Sequence, residues 1–329
     1  MEAADATRAR HHRRRHGRAV PAFRVHGGPR RVPALRTPGQ ERGRRPRPAR
    51  PPGHPPPAKR QPNLLFAAVR HVTGVPDDYA DFRRALLGHR DAVVATMLAR
   101  RTQTNEPARC AALYPLLASL PQPLALLEVG ASAGLCLFPD RYAYDYDGVV
   151  TGDVDSPLRL PCHVEGKLPR PGTVSVAWRA GIDLNPLDVT DPDDVHWLRT
   201  LVWPEQHDRL SRLDTAIALA RADPPRIVRG DLNARLGELA AEAPQDATLV
   251  VYHTAVLTYV PMAERAAFVD RLVRLDAHWI SQEGPDVLPD ITARLGPLPP
   301  ARKLTYVLAL DHRPVALTAV HGGLIQWLP

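Results

Sequence analysis

Cysteine is scarce: Cys110, Cys136 and Cys162 are the only three in 329 residues, and no two form a C-x-x-C pair. That excludes a disulfide scaffold or a cysteine-held zinc module and suits a reducing cytoplasm, the compartment expected here. No apolar run reaches 18 residues, so no spanning helix and no membrane partner are expected. The basic N-terminus lacks the apolar stretch of a secretory or twin-arginine signal. The histidines show no H-E-x-x-H spacing. Asp145-Tyr146-Asp147-Gly148 lacks the later oxygen ligands and closing glutamate of an EF-hand, so no metal site is expected.

Charge is unevenly placed. The chain nets +8, from Lys+Arg 43 against Asp+Glu 35. Residues 1–60 hold 16 Arg and one Lys against three acids, which leaves the remaining 269 residues with a net of −6. A body of that sign lacks the dense Lys/Arg face that phosphate contact needs, so a nucleic-acid partner is not expected. Its length suits one large α/β domain.

Residues 1–58 contain no Ser, Ile, Asn, Tyr, Trp or Cys, and one Leu and one Phe among many Arg, Pro, Ala, Gly and His. Such a segment buries too little apolar surface to offset chain entropy, so residues 1–60 are expected to be a disordered Arg/Pro-rich tail. The same residue set is what GC-rich codons yield when read out of frame, which makes a mistranslated start an alternative reading.

From Gln61 the pattern changes. Apolar residues at helical spacing (Leu64, Leu65, Phe66, Val69; then Phe82, Leu86, Val93, Met97) predict a helical cap over 61–122. Leu124–Val129 is a short apolar run, the pattern of a strand buried on both faces. Further strands are predicted at 174–182, 226–229, 249–252 and 278–282, with helices between them. Residues 141–172, with the Asp147-Gly148 turn and several prolines, read as an excursion from the main sheet. The segments 304–310 and 315–320 read as a hairpin. The expectation is an α/β fold, Rossmann-like, with a mainly parallel doubly wound sheet over 123–329, an antiparallel C-terminal hairpin and the N-terminal helical cap.

The residues with chemical promise fall at strand ends, where open parallel sheets bind ligands. Gly130 and Gly134 flank a tight turn that is expected to open a helix and present free N–H groups. Asp183 ends the second strand, where a carboxylate can accept ribose hydroxyls. Asp231 ends the third, within reach of an adenine or, more simply, as a helix cap. His253 ends the fourth, as a candidate general base or as a structural histidine. Trp197 and Trp203 read as packing residues.

Leu126-Leu127-Glu128-Val129-Gly130-Ala131-Ser132-Ala133-Gly134 resembles the first motif of class I S-adenosylmethionine-dependent methyltransferases. Gly181-Ile182-Asp183-Leu184-Asn185-Pro186, Gly230-Asp231, and Tyr252-His253 followed by Val256-Leu257-Thr258-Tyr259 are similar to their next three motifs. Arg101-Thr102-Gln103-Thr104-Asn105-Glu106 and the stretch from Gly181 through Trp203-Pro204 resemble a bacterial family, domain of unknown function 2332, over about residues 61–290. The methyltransferase likeness covers roughly 124–283. Two departures stand out. Ser132 replaces the usual central glycine, and Asp183 follows Gly134 by 49 residues instead of the roughly 20 typical of a ribose acid. The 141–172 insertion accounts for the excess; if Tyr142–Tyr146 is the second strand, the acid is Asp145 or Asp147.

The resemblance implies S-adenosylmethionine as cofactor, held by Glu128, Gly130, Ser132, Gly134, Asp183 and Asp231, with His253 as catalytic base. The cap residues Arg101, Gln103, Asn105, Glu106 and Arg109 would then form the lid over a small-molecule acceptor. Two other readings stand beside it. One is a non-catalytic nucleotide-binding protein, because Ser132 breaks the glycine pattern. The other is an α/β-hydrolase, because Gly130-Ala131-Ser132-Ala133-Gly134 also fits a G-x-S-x-G elbow with Asp286 and His312 following. No oligomerisation signal is present.

Overall fold

The computed structural model describes residues 55–169, 172–295 and 305–329. Most of the Arg/Pro-rich segment, for which disorder is expected, lies outside these residues. The eleven strands are β1 (Leu124–Val129), β2 (Ala143–Tyr146), β3 (Val149–Gly152), β4 (Arg159–Glu165), β5 (Val176–Asp183), β6 (Arg226–Arg229), β7 (Thr248–Thr254), β8 (His278–Glu283), β9 (Thr305–Leu310), β10 (Arg313–Ala319) and β11 (Leu324–Trp327). They form one sheet in the order β3-β2-β4-β11-β10-β9-β8-β7-β1-β5-β6. The run β6-β5-β1-β7-β8 is parallel throughout. The chain lays β5 and β6 on one side of β1, then returns to lay β7 and β8 on the other, so the strand order reverses between β1 and β7. The predicted C-terminal hairpin is present as β9–β10, and β9 also pairs antiparallel with β8.

Helices cover both faces of this sheet. In chain order the longer ones are α1 (Pro62–Thr73), α2 (Tyr79–Gly88), α3 (Arg90–Ala99), α4 (Cys110–Leu117), α5 (Pro192–Leu201), α6 (His207–Ala222), α7 (Leu232–Ala240) and α8 (Met262–Leu272). All six residues of β1 are buried, and their direction alternates. Leu124 and Leu126 join the core formed with α1, α4, α5 and α6; Leu127 and Val129 join that of α7 and α8. Asp191 caps α5 through the N–H groups of Asp193 and Asp194, with Pro192 in the first turn, as the sequence predicts.

Three features differ from expectation. The 141–172 segment is no excursion: β2, β3 and β4 extend the main sheet, because β4 pairs parallel with a further strand, β11. The Gly130–Gly134 turn opens no α-helix, only a three-residue 3-10 turn, Leu135–Leu137. The helix on that face is instead α4, which precedes β1 and is buried at all eight positions. It is therefore part of the core rather than a cover over it.

Candidate functional site

A cavity of about 540 Å³ opens at the carboxyl ends of β1, β5, β6 and β7, where the strand order reverses. Its floor is tied together by backbone and one carboxylate. Gly130 N and Ala131 N both donate to Ile182 O, at 2.7 and 3.1 Å. Asp183 Oδ2 accepts from Ser132 N at 2.8 Å, while Oδ1 accepts from Asn185 N at 2.7 Å and Gln103 Nε2 at 3.1 Å. Gln103 Nε2 also donates to Asn185 O at 2.8 Å. Segments separated by up to 80 residues thus converge on a single side chain. Gly130 has φ +72°, and a Cβ there would overlap both methyls of Val256. A glycine lets this turn close against the β7 loop.

The other expected residues divide. Asp231 lines the cavity and also caps α7 through Asn233 N and Ala234 N. Arg101 lines it too, its carbonyl fixed by the buried Trp197 Nε1 at 3.0 Å. Asn105 sits behind the wall, where its Oδ1 accepts from Leu135 N at 2.9 Å. Glu106 is buried and paired with Arg209 at 2.7 Å and Arg212 at 3.5 Å. Gly134 is not in the cavity wall; the space its Cβ would need is filled by Pro225 and Ile227. Its glycine serves packing. Asp145 and Asp147 lie on and beyond β2 at the far end of the sheet, where Asp147 meets His163 at 2.9 Å, so neither can be the ribose acid.

Glu128 and His253 need correction. Glu128 points to the α4 face of β1, is 2 % exposed and does not line the cavity. Burial, then Cys136, pushes its carboxyl well above the ordinary range, against the opposing pull of Arg109. The folded chain therefore keeps a proton that the unfolded chain releases above its ordinary pKa near 4.5. The contribution is favourable at acid pH and is lost as pH rises. Glu128→Gln, which cannot ionise, is expected to gain stability over the native protein between about pH 5 and pH 8, by up to about 1.4 kcal/mol per pH unit. Urea unfolding at the two pH values measures it, and a difference that does not change with pH counts against it.

His253 is 0 % exposed. Its Nδ1 meets Glu283 Oε1 at 2.7 Å, and its Nε2 accepts from Trp279 Nε1 at 3.0 Å. An indole N–H only donates, so Nε2 carries no proton and Nδ1 is the donor to Glu283. Both nitrogens are occupied beneath α8, away from the cavity, and His253 is not placed to act as general base. The hydrolase arrangement is also not assembled. Ser132 Oγ has no hydrogen-bond partner among the described residues. His312 stacks edge-on against Trp279 at the opposite end of β8 from the cavity.

Several cavity residues escape a sequence reading, among them four from the two ends of the described chain. Lys59 comes from the segment taken as tail. Tyr306 comes from β9, and Val320 and His321 from the turn after β10; the alternation of these strands predicts a hairpin but not what its ends approach. Partial burial, then Arg209, Arg109 and Arg212, pushes the His321 imidazole down to about 4, so it is neutral at neutral pH. The cavity wall thus holds the cations Lys59, Arg101 and Arg109 and the acids Asp183, Asp231 and Glu264.

No curated protein and no solved structure matches this chain. Residues 47–327 match the bacterial family described as an uncharacterized conserved protein, DUF2332, and with most of its length inside that match the chain belongs to this family.

Proposed function

We propose that the protein is an S-adenosylmethionine-dependent methyltransferase acting on a small-molecule acceptor, on a Rossmann-like sheet. The observation that carries the reading is Asp183, fixed at the end of β5 against the Gly130–Ser132 turn in the crevice where the strand order reverses. Two local features fit an adenosyl group. Gly130, at φ +72°, holds the tight turn that closes the cavity wall against Val256. Ser132, the residue that departs from the glycine pattern, lines the cavity and donates its backbone N–H to Asp183. A carboxylate offers about four acceptor positions. Three donors already bind Asp183, so it has room for one ribose hydroxyl. Asp231 lies on the side where an adenine would reach.

When bound, the cofactor supplies a methyl group already activated by its sulfonium. The chain's part is to hold donor and acceptor in line and to exclude water. A cavity of about 540 Å³ leaves space beyond a nucleoside for a small acceptor. With His253 buried elsewhere, positioning is the contribution this site is built to make. The same observation favours a second reading, adenosyl binding without turnover.

A thermal-shift titration with S-adenosylhomocysteine tests the proposal. At a hundredfold excess over Kd, native-state binding contributes about 2.7 kcal/mol, a Tm rise of about 5–10 °C. An unchanged Tm at millimolar ligand rejects the assignment. A shift without methyl transfer to any acceptor in a broad small-molecule panel selects the second reading.

A further inference from the structure

Arg109 is a buried cation without an ion-pair partner among the described residues. It is 6 % exposed, yet none of the described residues pairs a carboxylate with it. Its Nε donates to Val320 O at 3.0 Å, and its Nη1 donates to Thr254 O at 3.1 Å and Thr254 Oγ1 at 3.3 Å. Nη2 has no partner among the described residues, and the side chain forms part of the cavity wall. Nearby acids do not compensate. Glu106 is paired with Arg209 and Arg212, and burial pushes the Glu128 carboxyl well above its ordinary range, against its charged form.

Removing a guanidinium from water is costly unless an anion meets it, and neutral carbonyls offset only part of that cost. The Tyr306 ring, 6.0 Å from the guanidinium, adds a weak attraction. What remains is one open N–H edge on a residue of the cavity wall, whose other groups at that end, Thr254, Tyr306, Val320 and neutral His321, carry no charge. One free cationic edge among neutral groups matches a single negative charge rather than a phosphate dianion. It lies across β1 from Asp183 and Asp231, beside the ends of β7 and β10.

We infer that the Arg109 end of the cavity is a subsite for a carboxylate. This goes beyond the methyltransferase reading and does not depend on it: any ligand that presents a carboxylate at this end qualifies. Its owner is either the acceptor or the aminoacyl tail of an adenosyl cofactor.

The test uses 4-phenylbutyrate and its neutral amide, titrated calorimetrically into the full-length protein. The acid is expected to bind, with the amide about tenfold or more weaker. Arg109→Gln should weaken the acid by about tenfold and leave the amide unchanged, while Arg109→Lys retains part of the preference. If Arg109→Gln does not fold, phenylglyoxal modification of native Arg109, mapped by peptide mass spectrometry, gives the same information: the acid slows it and the amide does not. Equal binding of acid and amide, no binding of the acid at millimolar concentration, or displacement of the acid by inorganic phosphate overturns the inference. Displacement of bound acid by S-adenosylhomocysteine but not by 5′-methylthioadenosine assigns the carboxylate to the cofactor tail. Both nucleosides binding alongside the acid assign it to the acceptor. If neither nucleoside binds, the adenosyl reading fails while the subsite stands.

Discussion

Asp183→Asn is expected to weaken S-adenosylhomocysteine binding by about tenfold or more and to destabilise the empty protein by about 2 kcal/mol. The argument is a count of donors. Both oxygens of Asp183 accept N–H groups: Ser132 N on Oδ2, Asn185 N and Gln103 Nε2 on Oδ1. An amide has one oxygen, so in either orientation its NH2 faces a backbone N–H that loses its acceptor. Gln103 can rotate to present its own oxygen; a backbone N–H cannot. The Gly130–Ser132 turn then loosens against β5, and the ligand loses both the charge and the preset turn. Asp231→Asn is the control. Asn is as good a helix cap as Asp, and Asp231 is exposed, so stability should change by only a few tenths of a kcal/mol. Calorimetric titration beside urea unfolding separates the two effects. Unchanged affinity in Asp183→Asn removes the residue from the ligand site.

The parts of this site visible in the sequence are those set by local chemistry. An apolar run closed by Gly or Asp marks a strand end whatever the rest of the fold does, and the ends at Val129, Asp183 and Arg229 are where the pattern places them. What stays hidden depends on partners distant in the chain. Tyr142–Tyr146, an alternative second strand in the sequence, does contain β2, but its place at the far end of the sheet follows from β4 pairing with β11, more than 150 residues later. His253 occupies a strand end like Asp183. Its role turns on which face of β7 it occupies, and that face holds Phe268 and Trp279. Lys59 illustrates the opposite case: composition assigns it to the tail, while its Nζ bonds Arg100 O at 2.6 Å at the cavity edge.

Glu283→Ala is expected to cost about 4 kcal/mol, the scale of breaking a buried, fully engaged polar pair, and to lower Tm by about 8–15 °C. Glu283 is 2 % exposed, and its Oε1 alone accepts three donors: His253 Nδ1 at 2.7 Å, Val256 N at 2.9 Å and Leu257 N at 3.0 Å. Alanine strands all three and leaves a void beside β8. His253 cannot find relief by shifting its proton, because Trp279 already donates to Nε2. Glu283→Gln removes the carboxylate while keeping the volume and one acceptor oxygen. Its oxygen can still take the three donors, while its NH2 falls where Oε2 has no partner among the described residues, so the loss should be about 1–2 kcal/mol. The two variants also differ at the cavity. Val256 packs against the backbone of Gly130 and lines the cavity, whereas Glu283 does not touch it. Freeing Val256 N and Leu257 N in the alanine variant lets that wall drift, so ligand affinity should fall in Glu283→Ala and be nearly retained in Glu283→Gln. Equal losses in the two would mean that losing the carboxylate itself, the one change the variants share, sets the cost, rather than the severed hydrogen bonds or the void that only alanine introduces.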